Sequence, residues 1–372
     1  MTTIHCPMIH GGLQINLKKS PKHTYINHCC LRGDLIPSDQ LWQEPTLASL
    51  RELNQSEQWH PGCWTCQGNE AAGLTSFRTG MLKQFGVKTN LSGPQRLDLM
   101  FDVGCNLACR TCGPELSTYW QKHMLDHGLP LRRVPTTASR ADDMIKLLEQ
   151  MDLSNLGQVV FCGGETLLGQ GYWRVADALA DLVPNARDRL TVCFQTNGTQ
   201  PISDRNYDTI EKFQLVRLNI SLDGVGERFN YLRWPADWNQ VTDNILKIRQ
   251  TAPPNVMLLI EETLSIFNLF YTNELKDWLR NNFSTDGRGD VIEHTQHVAT
   301  GNFTIEGITQ EYFDALPADT KKLMLPNWRE QPFIIHRALA EIRKFDAIRN
   351  QNWQHTFPDL IDFYKRYANS GA

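Results

Sequence analysis

The placement of cysteine constrains this 372-residue chain more than any other feature. Ten are present, at Cys6, Cys29, Cys30, Cys63, Cys66, Cys105, Cys109, Cys112, Cys162 and Cys193, and none follows Cys193. Cysteine used as core filler is scattered, whereas these fall mostly in pairs and a triplet. The first residues, Met1 to Cys6, lack the charged and apolar regions of a secretory signal, and no apolar run approaches the roughly 20 residues that span a bilayer. The expectation is a soluble cytoplasmic protein. In a reducing compartment, clustered thiols serve as metal ligands or redox groups more often than as disulfides.

Composition narrows the partners. Charged residues make up 21% and apolar residues 41%, ordinary globular usage that excludes a disordered or collagen-like chain. A net charge of −4 gives no basic excess to meet a nucleic-acid backbone, so no nucleic acid and no membrane is expected as partner. The length suggests about two domains at roughly 150 residues each.

Periodicity supplies the organisation. Ser92 to Gln95 reads as a joint. Before it lie an alternating strand pattern at Leu13–Leu17 and a helical pattern from Thr46 to about Glu57. After it, apolar runs at Leu97–Val103, Gln158–Cys162, Leu190–Gln195, Leu215–Leu222, Val256–Thr263 and Val291–Val298 read as six strands. Helical patterns at Ala141–Met151, Tyr172–Leu182, Gln240–Gln250 and Asn273–Asn282 separate several of them. Such alternation predicts a parallel sheet with right-handed crossovers, whose sites collect at the carboxyl ends of the strands. The predicted division is 1–91, 92–300 and 301–372, the last a helical extension.

Directly after the first strand of the second region stands Cys105-Asn-Leu-Ala-Cys109-Arg-Thr-Cys112, a C-x3-C-x2-C array. Three thiolates hold three irons of a four-iron four-sulfur cluster and leave the fourth iron open. The competing reading is a zinc site joining Cys109 and Cys112 to Cys63 and Cys66, but 42 residues between those pairs exceed ordinary zinc-ribbon spacing.

These residues resemble the radical S-adenosylmethionine (radical SAM) superfamily, whose signature is this triplet after the first strand of a partial α/β barrel. The resemblance runs from about Leu97 to Val298 and implies a partial (β/α)6 barrel. Gly163-Gly164-Glu165, about 50 residues past the triplet, looks like the family's Gly-Gly-Glu motif, which holds the amino group of SAM. Thr196-Asn197-Gly198 is similar to a Thr-Asn-Gly found after the third strand of relatives, and also reads as a plain turn. Ser221-Leu-Asp223-Gly224 resembles Ser-x-Asp-Gly. By that resemblance Ser221 and Arg233 contact the methionyl carboxylate, and Asp223 the ribose or its polar surroundings. Read structurally, Ser221 and Asp223 are a helix N-cap pair and Arg233 a surface salt bridge. Thr111 stands where relatives often carry an aromatic residue, so aromatic shielding of adenine cannot come from that position.

The first segment, with Cys6, Cys29-Cys30, Cys63-Trp-Thr-Cys66 and Glu70 through Ser76 to Arg78, looks like a twitch or SPASM auxiliary iron-sulfur domain placed ahead of the barrel. Cys6, one of Cys29 or Cys30, Cys63 and Cys66 supply four thiolates, enough for a second, fully ligated four-iron cluster. A zinc ion suits the same sulfurs. His5, His10, His23, His28 and His60 crowd the region as substitutes for a thiolate or as surface histidines. Cys162 and Cys193, inside apolar runs, read as small buried hydrophobes.

The resemblance implies an enzyme, of oxidoreductase, epimerase or crosslinking type, that binds iron, iron-sulfur clusters and SAM and reductively cleaves SAM to a 5′-deoxyadenosyl radical, which abstracts hydrogen from a substrate. Auxiliary-domain relatives often act on peptides by crosslinking, epimerisation or oxidation, so a peptide or protein is the expected substrate. A small molecule of cofactor or sugar biosynthesis is the alternative, and a non-catalytic iron-sulfur or zinc protein the third. The electron donor implied is of the flavodoxin or ferredoxin type. No residue is assigned as the catalytic group. In the tail, Glu341 to Arg349 forms an amphipathic pattern, followed by aromatic Trp353 to Phe357. This segment reads as packing over the open side of the barrel or as a lid, with Asp346 and Arg349 placed for a helical ion pair.

Overall fold

The computed structural model describes residues 4–18, 23–29, 35–71, 73–131, 139–283, 293–299, 301–321 and 328–368. Its described strands are β1 (Gly12–Asn16), β2 (Tyr25–Asn27), β3 (Ile36–Pro37), β4 (Arg96–Met100), β5 (Gln158–Cys162), β6 (Thr191–Thr196), β7 (Leu215–Ser221), β8 (Val256–Leu264) and β9 (Glu293–Val298). They form a single sheet in the order β3-β2-β1-β4-β5-β6-β7-β8-β9. From β4 to β9 every neighbouring pair is parallel, with helices in the crossovers, as the alternation predicts. The sixth expected strand begins at Val291, and Val291 and Ile292 lie outside the described residues.

β4 is shorter than the run Leu97–Val103. Asp102 ends it by turning its carboxylate back to accept from Gly104 N at 2.7 Å, which lifts the chain out of the sheet where the cysteine loop begins. The short early strand β1 pairs in parallel with β4, Leu13 beside Leu97 and Ile15 beside Leu99, while β2 and β3 add antiparallel at its outer edge. The sheet therefore runs across the joint at Ser92–Gln95. One apolar core does the same, from Ile9, Leu13 and Leu47 through Phe161 and Phe194 to Phe283.

Strand alternation explains the curvature. Leu97, Leu99, Val159, Phe161, Val192, Phe194, Leu218, Ile220 and Ile260 point to the helix-covered face and join that core. The intervening residues are polar at many positions, and of these Asp98, Gln158 and Asn219 are buried. They stay buried without a helix layer because the sheet curls around them. Gln195 Nε2 on β6 reaches Glu261 Oε1 on β8 at 3.4 Å, past β7. This is the inner wall of a partial barrel. On the outer face, Phe161 packs on Phe194 at 5.0 Å and Trp173 on Phe194 at 4.8 Å, each buried ring contributing about 1.5–3 kcal/mol.

The C-terminal region is helical, as expected, with helices at Gln310–Ala315, Pro332–Arg349, Trp353–Thr356 and Ile361–Ala368. Trp353 and Phe357 are buried in a second core with Tyr231, Phe267 and Tyr364, so both pack. The Asp346–Arg349 pair does not form as a simple helical ion pair. Asp346 instead turns to Arg110, in the cysteine loop, and accepts from its Nη2 at 2.5 Å. A guanidinium already buried there outcompetes a helical neighbour.

Candidate functional site

The cysteine loop leaves β4 and is fixed at several backbone points. Cys105 N donates to Thr118 Oγ1 at 3.1 Å, Ser117 Oγ donates to Leu107 O at 2.6 Å, and Trp120 Nε1 donates to Cys109 O at 2.9 Å. Ala108 N and Arg110 N donate to Trp234 O and Leu232 O, each at 2.7 Å, and strap the loop to the end of the helix Glu227–Leu232. Arg110 lies over the Tyr231 ring at 4.2 Å, and Asp346 also accepts from Tyr231 Oη and Trp353 N, both at 2.8 Å. The helix Pro332–Arg349, which carries Asp346, thereby braces the loop.

The loops after the next three strands close on the same place. A Cβ at Gly163 would lie 2.3 Å from Asp102 O, and one at Gly164 would lie 2.2 Å from Gly104 O, so the close approach needs both glycines. Glu165 N donates to Gly104 O at 2.7 Å. The Glu165 carboxylate is buried and accepts from Thr196 Oγ1 and Asn197 N, both at 2.6 Å, and from Leu167 N at 3.0 Å. Burial raises its pKa against those three bonds. Asn197 Nδ2 donates to Asn106 Oδ1 at 3.0 Å and stands 3.9 Å from Cys105 Sγ. The Thr196-Asn197 segment is thus a tie between two strand ends and the cysteine loop, more than a plain turn.

Ser221 ends β7 half-buried. Asp223 is buried, accepts from Thr263 N at 2.8 Å and lies 2.9 Å from Arg233 Nε. Neither side chain caps the next helix, whose N-cap is Gly226. Arg233 is buried as well, which excludes a surface salt bridge, and its Nη1 reaches Cys109 Sγ at 4.0 Å. Burial works against its charge, and Asp223 and Cys109 more than restore it. Cys105, Cys109, Cys112, Asn197, Asp223 and Arg233 therefore form one connected site at the carboxyl ends of the strands.

The donor set fits a four-iron cluster with one open iron. Burial pushes the Cys112 thiol up to about 12, with Cys105 adding, and holds Cys105 and Cys109 above the ordinary thiol range. Thiolates placed there require a compensating positive centre. Arg233 supplies one charge, and a cluster held by Cys105, Cys109 and Cys112 would supply the rest.

A second cysteine group lies in the first segment. Cys6, at the N-cap of the short helix Pro7–Gly11, Cys29, Cys63 and Cys66 line one pocket with His28, His60, Trp59 and Arg78. Cys30 lies outside the described residues. Burial pushes Cys6 up to about 11, with Cys63 and Cys66 adding. Asn54, buried on the helix Pro45–Gln55, accepts from Cys6 N at 2.8 Å and donates to Ile4 O at 3.0 Å. Arg78 forks onto Glu70 with Nε at 2.9 Å from Oε1 and donates to His5 O at 2.9 Å. Among the described residues, no group of three or more His, Cys, Asp or Glu is arranged for a single metal ion. Cys193 is buried, as a small hydrophobe should be, and Cys162 is half-buried.

Sequence reasoning missed Asn54 and Arg110, and read Asp346 only as the helical partner of Arg349. Asn54 had a visible signal, a polar residue on the helix face of Leu47 and Leu50. Arg110 sits between two thiols, but its partner is 236 residues away.

Among the described residues no helix is long and apolar enough to cross a membrane. No curated protein matches the chain. Among solved structures, Streptococcus suis SuiB bound to precursor peptide SuiA is similar at 13% identity, covering 94% of this chain and 74% of that one, with a TM-score of 0.41. SuiB from the same organism bound to S-adenosylmethionine is similar at 13% identity, covering 91% and 70%, with a TM-score of 0.40. The radical SAM superfamily model matches residues 100–266, the stretch that carries the cysteine loop and the loops closing on it. The chain therefore carries a radical SAM superfamily domain.

Proposed function

We propose that this protein is a radical SAM enzyme that takes a hydrogen atom from a peptide or protein side chain or α carbon. One observation carries the reading: three thiols at the mouth of the barrel, Cys109 buried and Cys105 and Cys112 half-buried, with Arg233 Nη1 4.0 Å from Cys109 Sγ and three strand-end loops fastened onto the cysteine loop. When bound, a cluster with one open iron supplies the electron that cleaves SAM to methionine and a 5′-deoxyadenosyl radical.

The chain's own residues would then do the following. Cys105, Cys109 and Cys112 hold three irons. Arg233, fixed by Asp223, places positive charge beside the Cys109 sulfur and offers its remaining donors to a carboxylate. Gly163 and Gly164 bring bare backbone to the rim, and Ser221 presents a hydroxyl there. Asn197 and Glu165 fix the spacing between those loops. The inner barrel wall below keeps water out and orients the substrate.

The first segment would hold a second cluster through Cys6, Cys29, Cys63 and Cys66. Their convergence on one pocket supports this reading, and the resemblance of that segment to auxiliary units of peptide-modifying relatives supports the peptide substrate. An electron donor of the flavodoxin or ferredoxin type would reduce the protein in the cytoplasm. The test is electron paramagnetic resonance of the reduced, anaerobically reconstituted protein with and without SAM. The reading predicts about seven to eight irons per chain and a cluster signal that changes on adding SAM. For the substrate, a deuterated short peptide encoded beside the gene should pass deuterium into 5′-deoxyadenosine.

A further inference from the structure

We propose that Glu261, Asn219 and Thr295 form a receptor inside the barrel for a protonated primary amine of the substrate. The proposal rests on the radical SAM reading and adds the chemistry of the group recognised.

Register places these residues together. Ser221 of β7 pairs with Glu261 of β8, and Glu261 pairs with Thr295 of β9, so the three form one row across the inner wall. Asn219 lies two residues before Ser221 on the same face, opposite core-facing Leu218 and Ile220. Its Nδ2 donates to Glu261 Oε1 at 3.1 Å, and the same oxygen accepts from Gln195 Nε2 at 3.4 Å. His297 Nε2 stands 3.8 Å from it. All of these contacts fall on Oε1.

Two oxygens beside this carboxylate lack partners. Asn219 is 8% exposed, and its Oδ1 is buried with no hydrogen bond. Thr295 Oγ1 is also buried with none. An unmet buried acceptor is costly unless a ligand meets it. A carboxylate, an amide oxygen and a hydroxyl are all acceptors, and an ammonium is the group with three donors and no acceptor. The charges deeper in the barrel do not replace it: Arg217 lies two residues before Asn219, one layer down beside Cys193, and Arg96, a layer further down, is bonded to Asp98 and Gln158 at 2.9 and 3.0 Å. The row sits at the level of Ser221, so an amine held there would bring the carbons next to it toward the cofactor site.

The test is equilibrium dialysis of radiolabelled n-butylamine, with n-butanol as the uncharged counterpart, against the anaerobically reconstituted full chain at neutral pH. Butylammonium should bind at one site per chain and butanol at least about tenfold more weakly. Glu261→Gln should weaken butylammonium by roughly tenfold to a hundredfold, and Thr295→Val by several-fold. Equal binding of the two probes, or undiminished amine binding in both variants, overturns the proposal. If Glu261→Gln fails to fold, Thr295→Val decides. If SAM affinity falls in parallel with amine affinity, the carboxylate serves SAM's own ammonium and the proposal is overturned. Dialysis requires no SAM cleavage, so a negative result here leaves the radical SAM reading standing, and a failed cleavage assay leaves this result intact.

Discussion

Replacing Asp346 with Asn should loosen the cysteine loop from the far end of the chain. In the wild type the carboxylate accepts from Arg110 Nη2 at 2.5 Å, Tyr231 Oη at 2.8 Å and Trp353 N at 2.8 Å. The Arg110 side chain is 0% exposed, so the substitution strands a buried guanidinium. Removing one partner of a buried pair costs about 3–5 kcal/mol. We expect the lower end, about 3 kcal/mol, because Gln351 Oε1 still accepts from Arg110 at 2.8 Å. Hydrogen exchange reads this at Ala108 and Arg110, whose amides bond to Trp234 and Leu232. At about 1.4 kcal/mol per decade, exchange there should quicken by about two decades, with strands β5 and β6 little changed. The double variant Arg110→Met/Asp346→Leu should recover most of the protection, since an apolar pair replaces the buried ions at little cost. Unchanged exchange in Asp346→Asn, or no recovery in the double variant, refutes the reasoning.

Other outcomes follow from the same contacts. Gly164→Ala puts a methyl 2.2 Å from Gly104 O, so iron should be lost from the barrel site while the first segment keeps its own, about half the total by iron analysis. Cys63→Ala should remove about four irons and leave part of the SAM cleavage, as measured by 5′-deoxyadenosine. Burial, then the neighbouring Arg349 charge, holds His123 down at about 4 against an ordinary 6.5. The unfolded chain therefore takes up that proton first, and the stability present above pH 6.5 is lost as pH falls from 6.5 toward 4. The thermal midpoint of His123→Gln should decline less steeply than wild type across that window.

Much of the barrel was legible because β5 to β8 are rich in apolar residues, β4 alternates, and the helices between them keep a period near 3.6. The Cys105–Cys112 loop was legible because its ligands are close in sequence and sit at a strand end. What escaped notice depends on pairing between distant segments. Nothing in Leu13–Leu17 says that it will lie parallel to β4, and an Arg110–Asp346 bond leaves no local pattern. Glu165 was read as a cofactor contact, while its carboxylate oxygens bind Thr196, Asn197 and Leu167. Glu261 had a usable signal, a charge inside the apolar run of β8, but its meaning needed the register with Ser221 and Thr295.

The central claim is that Cys105, Cys109 and Cys112 hold a cluster that cleaves SAM. Anaerobically reconstituted protein, given SAM and a strong reductant, should form 5′-deoxyadenosine and methionine, and Cys105→Ala should form neither. Wild-type protein with a full complement of iron and no 5′-deoxyadenosine, or equal product from Cys105→Ala, would contradict it.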